Sequence, residues 1–111
     1  MKKLSIQLQP DRVSTLDVGS AAETLEAIGK LSTVVNDYLF EEGEENGRYL
    51  NFTYTTTDLH HLWSEIVSRV YSGSMGEEMH KSTIATCEGD RGWDDYLLLH
   101  HYDSSEKTDR L

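Results

Sequence analysis

At 111 residues the chain is one domain, large enough to bury about two-thirds of its extended-chain surface in a single core. Twenty acidic residues against ten basic give a charge of −10 with neutral histidines, which opposes binding to nucleic-acid phosphate and to anionic membranes. The excess charge serves solubility or steers the chain to a basic protein partner. Cys87 stands alone, so no intramolecular disulfide forms and a reducing compartment fits. Gln7 and Gln9 interrupt any signal-peptide core, and no apolar run approaches the roughly 18 residues of a membrane span, so a cytoplasmic protein is expected.

Leu4, Ile6 and Leu8 alternate with polar residues as in a half-buried strand, which Pro10 ends. "SAAE" at Ser20–Glu23 reads as a capping box opening a helix with Ala21, Leu25 and Ile28 on one face. "LSTVVNDYLF" either prolongs that helix or becomes a strand. The second is preferred, because Glu41, Glu42, Glu44 and Glu45 would oppose a helix dipole and Asn46-Gly47 is a favoured hairpin turn. Leu50, Phe52 and Tyr54 then share one face of a return strand. Thr57 or Asp58 caps a second helix with a buried stripe at Leu59, Leu62, Trp63, Ile66 and Val70. Residues 81–87 read as a strand, "EGDRGWDD" as a long turn, and 96–102 as a last strand. In that strand, consecutive Leu97, Leu98 and Leu99 suggest burial on both faces and no bare edge. Residues 1–103 form the domain, and 104–111 are expected to be a mobile tail.

The order β-α-β-β-α-β plus one strand is that of an α+β two-layer sandwich, ferredoxin-like in its first six elements. Without the middle hairpin it becomes β-α-β-α-β-β on a mixed sheet.

Two histidine pairs, His60-His61 and His100-His101, raise the question of a shared centre. The strands at 49–56 and 81–87 flank a crossover helix and run parallel, so His60 and His61 lie at the end where both strands finish. The last strand runs back, placing His100 and His101 about 20 Å away, against about 2 Å for a histidine–metal bond. A four-histidine centre is therefore excluded. The candidate metal ligands are His60, His61 and Asp94, with Asp58, Cys87, Glu88, Asp90 and Asp95 nearby. At the other end, pairing about the turn brings His80 towards His101 and Tyr102. No zinc spacing, calcium loop or phosphate loop is present, so no cofactor is expected. No catalytic residue is assigned, since a lone strand cysteine such as Cys87 is most often core material.

Trp93 in the charged turn is read as a lid on the core, or as an anchor ringed by Asp90, Asp94 and Asp95. "RYLNFTYTTTDLHHLW" followed by "CEGDRGWDDYLLLHHYD" resembles small bacterial proteins of similar length to which no activity attaches. The acidic α+β design generically resembles bacterial immunity and inhibitor proteins, without a motif of either.

The leading expectation is therefore a small acidic cytoplasmic protein, not an enzyme, that binds another protein as an inhibitor, immunity or adaptor protein. Contact would run through Trp93 with Asp90, Asp94 and Asp95, or through Glu41, Glu42, Glu44 and Glu45. The alternatives are a small enzyme or metal-binding domain using His60 or His61 with the 88–95 turn, and a domain that self-associates as a homodimer through an edge strand.

Overall fold

The alternation at the start of the chain produces strand β1 (Lys2–Leu8), whose Leu4, Ile6 and Leu8 are wholly buried in the computed structural model, which describes residues 1–111. Helix α1 (Val18–Gly29) buries Ala21, Leu25 and Ile28 as expected. Its cap is Asp17 and not Ser20: an Asp17 carboxylate oxygen accepts the Ser20 amide at 3.1 Å, and the other accepts the Ser20 hydroxyl at 2.9 Å. Both residue types cap helices, and the one three positions earlier takes the role because the helix starts at Val18.

The ambiguous stretch is a strand, beginning later than its β-branched residues suggest. Val34 and Val35 are buried in the approach, and β2 (Asp37–Glu44) follows. β3 (Arg48–Thr56) returns beside it in full register. Asn46 and Gly47, with φ of 56° and 123°, make the turn, a conformation that these two residue types tolerate best. The buried Tyr54 hydroxyl donates to the Leu25 carbonyl at 2.7 Å and ties β3 to α1.

The second helical segment differs from the expected single helix. α2 (Leu59–Ile66) is capped by Asp58, which accepts the His61 amide at 3.1 Å. It runs into one π-helical turn, Val67–Tyr71, and the chain then forms a short helix α3 (Gly76–Ser82). Strand β4 (Thr83–Gly89) consequently starts at 83 rather than 81, and His80 and Lys81 are helical. Two helical turns with Met79 as their large buried side chain give too short a periodic signal to read in advance.

The last strand, β5 (Gly92–His100), also departs from expectation: it takes in Trp93, Asp94 and Asp95, which were expected in a turn. Its pairing with β4 slips twice. Ala85 faces His100 and Thr86 faces Leu98, so Leu99 is an extra, bulged residue. Leu99 is 8% exposed and Leu98 only half-buried, so the leucine run reflects a bulge and not burial on both faces.

The chain is an α+β protein with a five-stranded antiparallel sheet and three helices, compatible with a two-layer sandwich. Strand order is β2-β3-β1-β4-β5. Because β3 and β4 each pair antiparallel with β1, they run in the same direction, as the crossover argument requires. The mixed-sheet alternative is not adopted, since every pairing is antiparallel. One sheet face carries the core, from Leu4, Ile6 and Leu8 through Leu50, Phe52 and Tyr54 to Ala85 and Cys87. β5 lies at the sheet edge, where Asp109 accepts the Leu98 amide at 2.9 Å and donates its own amide to the Leu98 carbonyl at 2.7 Å. No helix is long and apolar enough to cross a membrane.

Candidate functional site

The antiparallel order gathers the start of β1, the ends of β3 and β4, the first turn of α2 and the start of β5 at one end of the sheet. Between them opens a cleft of about 660 Å³. Leu59, Leu97 and Leu111 give it an apolar wall, and His60, Glu88, Asp90 and Asp95 contribute polar groups. Mixed lining of this kind, apolar with a few convergent polar groups, is the usual character of small-molecule sites.

Local structure holds these groups in place. The Thr56 hydroxyl donates to the Val34 carbonyl and accepts the Asp58 amide at 3.0 Å, which fixes the step from β3 into α2. Leu59 and His60 follow directly, so the first turn of α2 presents them to the cleft. On the opposite wall the Lys2 ammonium donates to the Gly89 carbonyl at 2.8 Å and stands 3.9 Å from the Asp90 carboxylate. The Lys3 amide donates to Glu88 at 2.8 Å, and the Arg91 amide to Asp95 at 2.7 Å. Gly89 is required where it sits, because any Cβ there would overlap the carbonyl oxygen of Asp95. Chemically, the cleft offers an exposed imidazole on one wall and carboxylates on its lining, groups of the kind that can transfer protons to or from a bound organic molecule.

Of the candidate site residues singled out in the sequence, His60, Glu88, Asp90 and Asp95 line this cleft and the rest lie elsewhere. His61 turns along its own helix, with Nε2 3.7 Å from the Glu65 carboxylate. Asp94 is exposed on β5. His60, His61 and Asp94 are thus not brought together, and no group of three or more His, Cys, Asp or Glu side chains could hold a metal. Trp93 is 43% exposed on β5, so it is neither a closed lid nor a fully free anchor. Glu41, Glu42 and Glu44 lie exposed along β2 and Glu45 in the turn beyond it; Glu42 pairs with Arg48 at 3.4 Å. Cys87 is wholly buried among core side chains, and burial pushes its thiol up, away from the reactive thiolate. Lys2, Thr57 and Leu111 were missed, because no local pattern announces residues that meet only through the sheet order.

At the other end, His80 meets His100 and not His101. The two imidazoles lie 5.0 Å apart, with the Tyr71 ring 5.0 Å from His80 and 4.7 Å from His100. The cause is the bulge at Leu99, which places His100 opposite inward-facing Ala85. His101 instead packs on Tyr102. Burial holds His100 below the usual histidine value of 6.5; its hydrogen bond to the His80 carbonyl opposes this, and the nearby charges of His80 and His101 add to the lowering. Tyr71 is raised by burial and shares a 2.8 Å hydrogen bond with the Thr83 hydroxyl.

No family model matches the chain, and the search of curated proteins gives no match. Among solved structures the chain is similar to a phage SAM lyase in complex with S-methyl-5′-thioadenosine. Identity is 13%, coverage is 90% of this chain and 89% of that one, and the TM-score is 0.47. That structure is of an enzyme; the expectation of a non-enzymatic inhibitor, immunity or adaptor protein differs from it and is not carried forward.

Proposed function

We propose that this protein binds a small organic molecule in the cleft at the His60 end of the sheet and acts on it by proton transfer, with His60 as the acid–base group. The observation that carries this reading is the cleft itself, about 660 Å³ with His60 and two aspartates beside an apolar wall. Its volume suits a ligand of metabolite size. Asp90 and Asp95 would orient or balance a developing charge, and Leu59 and Leu97 would take the ligand's apolar part. The order β2-β3-β1-β4 with its two helical crossovers, α1 and the α2–α3 segment, supports a ferredoxin-like reading of the first six elements, β5 being an addition beside β4. A lone buried cysteine supports a cytoplasmic setting.

Amide chemical shifts recorded against a mixture of small amines, carboxylates and purines test the proposal. The expected perturbations centre on Thr57, His60, Gly89 and Leu97, and His60→Ala weakens the response to whichever component binds. Perturbations confined to other surfaces would remove the cleft from consideration.

A further inference from the structure

We infer that residues 104–111 are an intramolecular strap that narrows the cleft by walling one side of it and opens to admit a ligand fully, an inference that rests on the cleft being a ligand site. Three observations carry it. The segment has no regular structure, and residues 104–110 are all exposed. Its last stretch nevertheless docks at one point: Asp109 takes both outward groups of Leu98, amide to carboxylate at 2.9 Å and amide to carbonyl at 2.7 Å. Two positions further on, the half-buried Leu111 side chain packs against the core cluster and forms part of the cleft wall with Leu59 and Leu97.

The energetics favour a latch that opens. A segment that few contacts hold, mostly at an exposed edge, belongs to the least stable part of a fold and opens without global unfolding. Two hydrogen bonds and one half-buried leucine outweigh the ordering entropy of a few residues only narrowly. Leu111 is thus part of the apolar wall beside Leu59 and Leu97, and its release would widen the cleft on the side where a ligand's apolar part binds. The apparent affinity of any ligand is lowered by the fraction of time the strap is closed.

The test uses the full chain and its Asp109→Ala/Leu111→Ser variant, with N-phenyl-1-naphthylamine as a neutral apolar probe. Amide exchange at Leu98 reports docking directly, without a ligand. Faster exchange at Leu98 in the variant is expected, while the β1 and β3 amides stay protected. Probe binding, located by shifts at Leu59 and Leu97, is expected to be about fivefold tighter in the variant, the size of effect that losing roughly one such latch produces. Unchanged Leu98 exchange overturns the strap. Equal probe affinity at the cleft in both proteins overturns the gate while leaving the ligand site intact. Absence of probe from the cleft in both removes the site and the gate together, and Leu98 exchange then still reports whether the segment docks.

Discussion

His100 donates its Nε2 proton to the carbonyl oxygen of His80 across 2.9 Å, which leaves Nδ1 as the unprotonated nitrogen of the ring. The imidazole is thereby tied into the contact between α3 and β5; burial lowers its tendency to protonate, and the bond to the carbonyl partly opposes that.

Stability should therefore fall as pH drops through the weakly acidic range. Between the folded value and the unfolded value near 6.5, the unfolded chain binds a proton at His100 that the folded chain refuses, so stability rises with pH across that window. Above it the effect is gone, and below the folded value the penalty is complete. Urea midpoints measured from pH 8 to pH 5 for the natural chain and for His100→Gln check this. The variant should lose part of the slope near pH 6, and parallel profiles would exclude His100 as its source.

Asp17, and not Ser20, should prove to be the stabilising cap of α1. Asp17→Ala should lower the unfolding midpoint more than Ser20→Ala, and Asp17→Asn should retain most of the stability, because the amide oxygen still accepts from the Ser20 amide. Hydrogen bonds from Ser20 hold the Asp17 carboxyl below its usual value. Its contribution is thus present above the unfolded value and is lost as pH falls through the folded one. Equal effects of the two alanine variants would return the cap to Ser20.

The Tyr54 hydroxyl is a buried tie between two layers, so Tyr54→Phe removes one hydrogen bond and leaves the Leu25 carbonyl to its helix partners. The expected loss is about 1 kcal/mol, with the denaturant m-value unchanged because packing is kept. Leu4→Ala, which empties a wholly buried site at the centre of the sheet, should cost about 2–5 kcal/mol. A Tyr54→Phe loss equal to that of Leu4→Ala would mean that the hydroxyl organises more than one bond.

Gly89→Ala should affect the cleft as well as stability. A methyl group at this site overlaps the Asp95 carbonyl, so β5 must move outward and carry Asp95 with it. Overpacking of this kind costs about 1–3 kcal/mol, and amide shifts from Gly92 to Leu97 should move together. An unshifted β5 would show that the Gly89–Asp95 approach is looser than described.

Most of the frame was legible in the sequence, because β1 and β3 alternate cleanly and Asn46-Gly47 marks a turn that few other pairs can make. What failed was set by tertiary context. Val34 and Val35 favour strands, yet they are buried in the turn before β2, where packing overrides propensity. The bulge at Leu99 adds one residue against β4 without disturbing the hydrophobic pattern, so the partner of His80 was misjudged by one position. His60 was placed at the correct end of the sheet by direction alone. The wall opposite it was only partly legible, because Lys2 and Leu111 come from the two extremes of the chain and meet there through the strand order.

β1 is first along the chain but central in the sheet, flanked by strands whose paired residues start at Leu50 and Thr83. During synthesis, it therefore waits for both neighbours: the β2–β3 hairpin can form early, but β1 has one open flank until β4 has been made. Folding of this chain should accordingly be limited by long-range closure and not by helix formation. Stalled or shortened chains ending before residue 83 would expose the β4-facing flank of β1, a template for pairing with other chains.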